Sequence, residues 1–271
     1  MNSVIKGASY VLVHTPDMVL YNGTTQTTER VVNPDSEYLK AVPEHLRSYE
    51  EAVSYWPNQT YIGNAHPDEL AEIEFPYYDK KKEGAERYGK YGEIMPEEEF
   101  LLLVQACDMF EVVRLDKAFV EKYKEAFAKD PVISDDIVEK IHEGVELSEI
   151  ETLISEDHAE PLYFEHQLVG CVKPAHDIDV NLSSHVMHEN LMSKASSVLA
   201  LLYAVKNAGI EKSDVEYVID CAEEACGDMN QRGGGRGGRS CQCNRIRCQR
   251  ILCSTDTCTD RGSRTGKSRR V

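Results

Sequence analysis

The sequence predicts an α/β fold with a mainly internal sheet. Three observations carry that reading. Short apolar runs such as "SYVLVH", "LVGCVK" and "VEYVIDC" have the length and β-branched content of buried strands. A long stretch from about Val186 to Asn207 repeats Met187, Leu191, Val198, Leu202 and Val205 mostly at helical spacing. Between strand-like runs the chain therefore switches period from about 2 to about 3.6, and no internal repeat interrupts the pattern.

Taken in order, residues 9–14 read as a first strand, ended by Pro16. "YNGTTQTTERVVNPDSEYL" is rich in Thr and Asn and reads as a loop. Residues 43–95 are aromatic, acidic and punctuated by proline, with "WPNQTYIGN" as an irregular connection. Pro96 suits a helix start, and the "EEE" after it suits the positive end of a helix dipole ahead of the apolar body "FLLLVQACDMFEVV". Asp116 is placed to cap "KAFVEKYKEAFAKD", and Ser134 to cap "DDIVEKIHEGVEL". After the strand "LVGCVK", Ser183 or Ser184 caps the long helix and Gly209 stops it. Val215–Cys221 follows as a further strand, expected in the same sheet against which the long helix packs.

The ending does not belong to this pattern. Arg232–Val271 carries eleven Lys and Arg against two Asp, a net of +9, so the remainder carries −26 within a total of −17. So acidic a body repels phosphate backbones, and nucleic acid is not an expected partner. No apolar run reaches the roughly 20 residues of a membrane span, and no signal-peptide core is visible. A cytoplasmic protein without a membrane partner is the expectation. The sequons at Asn22, Asn58 and Asn181 are then chance matches.

Several constellations carry residue types suited to chemistry. "HDIDVNLSSHVMHEN" gathers His176, Asp177, Asp179, His185 and His188, types that bind metals. The spacing offers no partner helix with a Glu-x-x-His pattern, so capping and surface hydrogen bonding are expected, and no metal. "DCAEEACGD" puts Glu223, Glu224 and Cys226 just past a strand end, where α/β folds collect ligand-contacting groups. The two glutamates are either functional or solvated, and Cys226 is either a small packing residue or a weak candidate nucleophile that needs a base or helix N-terminus to lower its pKa. Gly233, Gly235 and Gly238 spell G-x-G-x-x-G, but some ten residues after the strand and with no helix behind them. "RTGKS" misses the phosphate-loop pattern because Arg261 stands where its first glycine belongs. The five tail cysteines, Cys241 to Cys258, lack the paired two-to-four spacing of zinc sites.

Five segments in order, "VIKGASYVLVHTPDMV", "NGTTQTTERVVNPDSEYL", "NQTYIGN", "GCVKPAHDIDVNL" and "EEACGDMNQRGGG", together resemble the beta subunits of component C of the glycine, sarcosine and betaine reductases, over residues 1 to about 235. That family looks like the condensing enzymes of the thiolase superfamily, close to β-ketoacyl-acyl carrier protein synthase III. The resemblance implies the N-terminal half of a thiolase-like fold in residues 1–232, with an acidic, partly helical insertion at about 33–165, and a separate tail from 233 to 271. It implies an enzyme subunit acting with the alpha subunit of component C and with the selenoprotein component A, which carries a carboxymethyl group on selenium. Component C releases that group as an acetyl unit through a cysteine thioester, and phosphate as co-substrate yields acetyl phosphate; no cofactor is implied.

Where the family continues with a helix and a Gly-Phe-Cys-Ala-Ala-Pro-like nucleophile segment, this chain has arginines and cysteines. Residues 249–262 admit synonymous codons that, read one base later, spell Arg-Gly-Phe-Cys-Ala-Ala-Pro. The tail is thus expected to be a frame-shifted reading of the nucleophile region, the chain cut short and inactive as written. The expected cysteine codon straddles Leu252 and Cys253, so Cys253 is not expected to be catalytic. With only Ile246, Ile251, Leu252 and Val271 as large apolar residues beyond Gly233, the tail is expected to be disordered. Ordering costs about 1–2 kcal/mol per residue in backbone entropy, more than four buried side chains return. The alternative is a non-enzymatic acidic domain whose basic tail binds nucleic acid or metal; base-stacking aromatics or paired Cys/His spacing in the tail would favour it, and neither occurs.

Overall fold

A computed structural model of the chain describes residues 4–216, 218–220 and 244–245. Strand β1 (Leu12–His14) pairs in parallel with β2 (Ile94–Pro96). Five helices lie between them in sequence: α1 (Thr24–Val32), α2 (Glu37–His45), α3 (Tyr49–Ser54), α4 (Trp56–Ile62) and α5 (Pro67–Ala71). Then follow α6 (Glu97–Cys107), β3 (Val113–Leu115), α7 (Lys117–Phe127), α8 (Asp135–Val138), α9 (Leu147–Asp157), β4 (Glu160–Phe164), β5 (Gln167–Val172) and α10 (Ser184–Ala208). Strands β3, β5 and β4 form an antiparallel sheet in that order. A two-residue pair, β6 (Ile219–Asp220) with β7 (Asn244–Arg245), closes the description.

Helix α6 is the centre of the core. Glu97, Glu98 and Glu99 occupy its first turn, where they face the positive end of the dipole. Phe100 through Cys107 are all buried, so the helix is apolar on every side, as a helix enclosed by other elements must be. It packs on α10 and α7 and against β2 and β3, and one continuous hydrophobic cluster runs from Met95 to Tyr203. Residues 95–164 therefore share a core with Val11, Val13 and Met18 before them and with Val169 to Tyr203 after them.

The helix signals largely hold. Ser183 accepts from the Val186 amide at 3.4 Å and Gly209, at φ 62°, ends α10 in the left-handed region. Asp116 accepts from the Phe119 amide at 3.1 Å and caps α7. Asp116→Ala is expected to lower stability by about 1 kcal/mol, read from the denaturation midpoint; an unchanged midpoint would mean that the cap contributes nothing. Ser134 stands at the start of α8 but makes no cap bond; its hydroxyl accepts from Lys212 at 2.8 Å instead.

Three expectations change. The Thr-rich segment read as a loop is helical, as α1, although its β-branched residues favour helix weakly. Tertiary contact overrides propensity: Arg30 reaches back to donate to the carbonyls of Leu20 and Tyr21, docking α1 on the π-helical turn Met18–Asn22. "WPNQTYI" is α4 rather than an irregular connection. Pro57 takes the first turn, where no amide bond is lost, and Gly63 at φ 91° ends it. The single sheet expected for "SYVLVH", "LVGCVK" and "VEYVIDC" is replaced by three small ones, because each run finds a different partner. β1 takes β2, β5 takes β3 and β4, and the described part of Val215–Cys221 takes β7.

Close approach at β1 requires a glycine. A Cβ on Gly92 would lie 2.0 Å from the Tyr10 carbonyl, where the backbone hydrogen bonds Tyr10 N to Tyr91 O and Leu12 N to Glu93 O seat the strand. The expected tail disorder concerns residues 233–271, of which all but 244 and 245 lie outside the described residues.

Candidate functional site

The densest polar constellation among the described residues is centred on Arg87. Its Nε donates to Glu93 Oε2 at 2.8 Å, and its two terminal nitrogens clasp both oxygens of Glu99 at 2.7 and 2.6 Å. Nη2 also reaches Asp130 Oδ2 at 3.2 Å. Three different elements bring these acids together: Glu93 precedes β2, Glu99 sits in the first turn of α6, and Asp130 follows α7. The Tyr88 hydroxyl donates to Asp130, and the Arg87 guanidinium lies 4.8 Å from the Tyr88 ring centre.

One cation faces three carboxyl groups, and the side chains of Glu93 and Asp130 have no exposure. Burial, then the neighbouring Asp130 charge, push Glu93 up to about 8 against the opposing pull of Arg87. At neutral pH Glu93 is therefore mostly the acid. Protonation resolves its otherwise unpartnered Oε1, because a carboxylic acid donates to the Asp130 carboxylate. Burial alone would lower Arg87, but the hydrogen bonds to Glu99 and Glu93 and the charge of Glu99 outweigh it and keep the guanidinium protonated.

A second buried acid lies at the start of α6. Glu97 accepts from the amides of Asp17 and Met18 at 3.2 and 3.0 Å, and burial raises it to about 8 despite those bonds. Asp17 in turn accepts the His166 amide, with His166 Nδ1 2.9 Å from its carboxylate. Asn22 donates to Glu160 and to the Pro161 carbonyl. These bonds pin the segment after β1 onto α6 and onto the β4–β5 hairpin, whose turn residues Glu165 and His166 both have positive φ.

The residues singled out from sequence do not converge. His176 and Asp177 are exposed, Asp179 caps its own turn by accepting from Asn181, and His185 pairs with Glu189 at 3.3 Å. His188 is buried in α10, and burial, then the nearby His185, lower it to about 4, so it is a neutral core residue. Among the described residues no group of three or more His, Cys, Asp or Glu is arranged to hold a metal. Glu223, Glu224, Cys226, Gly233, Gly235, Gly238 and Cys253 lie outside the described residues. Sequence reasoning missed Arg87, Glu93 and Asp130. The available signal was "RYGKYGEIMPEEEF", in which a lone arginine and an acid stand beside the apolar "IMP".

The chain is 58% identical over 234 residues to the glycine/sarcosine/betaine reductase complex component C subunit beta of Peptoclostridium acidaminophilum. The match covers 86% of this chain. Over that span the chain is similar to component C beta subunits. It spans about half the length of that relative, 45% of it. No family model matches the chain, and no solved structure matches it. No described helix is long and apolar enough to cross a membrane.

Proposed function

We propose that this chain serves component C of a glycine, sarcosine or betaine reductase complex, in the step that forms acetyl phosphate. The observation that carries this reading is the 58% identity to a component C beta subunit. Its partners are then the alpha subunit of component C and the selenoprotein component A, in the cytoplasm, with phosphate as co-substrate. In the final step a phosphate oxygen attacks an acetyl thioester, the carbon–sulfur bond breaks, and the cysteine thiolate leaves as acetyl phosphate forms. The thiolase-like architecture of residues 1–232, with its insertion at about 33–165, belongs to the same proposal.

The described residues support a scaffold role in that reading, since the buried Arg87 cluster holds β2, α6 and the end of α7 in one arrangement. The nucleophile is not assigned to Cys226 or Cys253. The Arg- and Cys-rich ending is read as the nucleophile region translated in a shifted frame, and sequencing the DNA around codons 233–240 tests that directly. The functional test reconstitutes the chain with the alpha subunit, carboxymethylated component A and phosphate. A chain carrying the restored frame is expected to form acetyl phosphate, and the chain as written is not. Acetyl phosphate formed by the chain as written would overturn the shifted-frame reading, and failure of either form to bind the alpha subunit would overturn the assignment to component C.

A further inference from the structure

Outside the Arg87 cluster, an open cleft of about 360 Å³ lies between the α2–α3 connection and the segment around residues 78–81. Its volume is in the range of small-ligand sites. Its lining brings together three cations, Arg47 from the α2–α3 connection and Lys80 and Lys81 from the facing segment, with Tyr55 and Tyr78 and with two carboxyl groups, Glu44 and Glu51. The walls are tied together. Lys82 N donates to Ser54 O at 2.8 Å, and Tyr55 bridges Lys81 in antiparallel fashion.

The cations are not equivalent. Arg47 is half-buried, its guanidinium 4.0 Å from the Tyr55 ring centre, and none of the ion pairs among the described residues engages it. The stack holds the planar fork in place while leaving its N–H edge for a ligand. Lys80 is turned away, donating to the Glu74 carbonyl at 2.6 Å. Lys81 faces Glu51 at 3.6 Å, a loose and exposed contact, while Glu51 is also drawn to its own helix start by the Ser48 amide at 3.1 Å. Such a pair is worth little and yields readily to a stronger anion.

We propose that this cleft binds a phosphoryl group, seated between Arg47 and Lys81. A carboxylate has two oxygens in one plane, and a guanidinium fork engages both from one edge. A phosphoryl group has three, so it can be held by the Arg47 fork on one wall and the Lys81 ammonium on the other. The source is free phosphate or an organic phosphate, whose ring would stack on Tyr78, 66% exposed at the cleft. The inference requires only this chain and no turnover, so it and the acetyl-phosphate reading can fail separately.

The test titrates the full chain at low ionic strength with inorganic phosphate and with ADP, by calorimetry. Saturable binding is expected, weakened at least tenfold by Arg47→Ala and by Lys81→Glu, and weakened by added sodium chloride. Tyr78→Ala distinguishes the sources: loss of ADP affinity alone marks an organic phosphate, and unchanged affinity for both probes marks free phosphate. Lys81 is 65% exposed, so its replacement leaves the fold intact even where loss of the Arg47 stack does not. Absence of saturable binding by both probes, or binding that Lys81→Glu leaves unchanged, overturns the proposal.

Discussion

Arg87→Ala is expected to destabilise the folded protein by about 3–5 kcal/mol, the largest effect of any single substitution considered for this chain. Removing the guanidinium takes away four hydrogen bonds and leaves Glu99 and Asp130 without their shared cation. Neither acid can recover hydration, because Asp130 has no exposed side-chain surface and Glu99 has 8%. The cost is therefore mainly that of stranded buried charge, and it should shrink when the acids are neutralised as well. Arg87→Ala combined with Glu99→Gln and Asp130→Asn is expected to recover part of the loss in a mutant cycle by urea denaturation. A loss below about 1 kcal/mol for Arg87→Ala would show that the cluster is solvated and contributes little.

Stability is also expected to fall as pH rises, on the order of a few kcal/mol between pH 6.5 and 8.5. Glu93 and Glu97 both have folded pKa values raised to about 8, above the ordinary carboxylate range. Between the unfolded value near 4.5 and about 8, the folded state holds protons that the unfolded state has released, so raising pH favours unfolding. His188 works in the opposite sense, because its folded value is lowered to about 4. From pH 6.5 down to about 4 the unfolded state takes up a proton that the folded state refuses, so acid favours unfolding through this residue. The two carboxyl groups thus act unopposed by His188 above pH 6.5, and the decline should be steeper there than between pH 5 and 6.5. Urea midpoints measured across this range check the slope. Glu93→Gln should flatten it, since the amide keeps a donor toward Asp130 without a titrating proton; a slope unchanged by Glu93→Gln and Glu97→Gln would place the protons elsewhere.

The helices bounded by strong local chemistry were legible without tertiary information. Asp116, Ser183 and Gly209 act through bonds or dihedrals within a few residues of themselves, and the apolar body after "EEE" could only be a buried helix. Resemblance to the component C family was equally legible, because it resides in ordered stretches of sequence rather than in contacts. Sheet partnership was not. A run such as "SYVLVH" specifies a strand, but hydrogen bonding to Ile94–Pro96 some eighty residues away depends on which backbone edges meet.

What the sequence by itself determined is therefore local: the body of α6, the capped start of α7, both ends of α10, the acidic body against the basic tail, and the family resemblance. Only the tertiary structure decided which charges face one another. Arg87, Glu93, Glu99 and Asp130 span more than forty residues, and nothing in their spacing distinguishes them from solvated surface charges. The physical reason is that helix caps and turns are short-range, whereas a buried ion cluster exists only where separate elements exclude water together. Arg47 and Lys81 owe their meeting across one cleft to the same cause, the docking of residues 80–82 onto the α3–α4 junction.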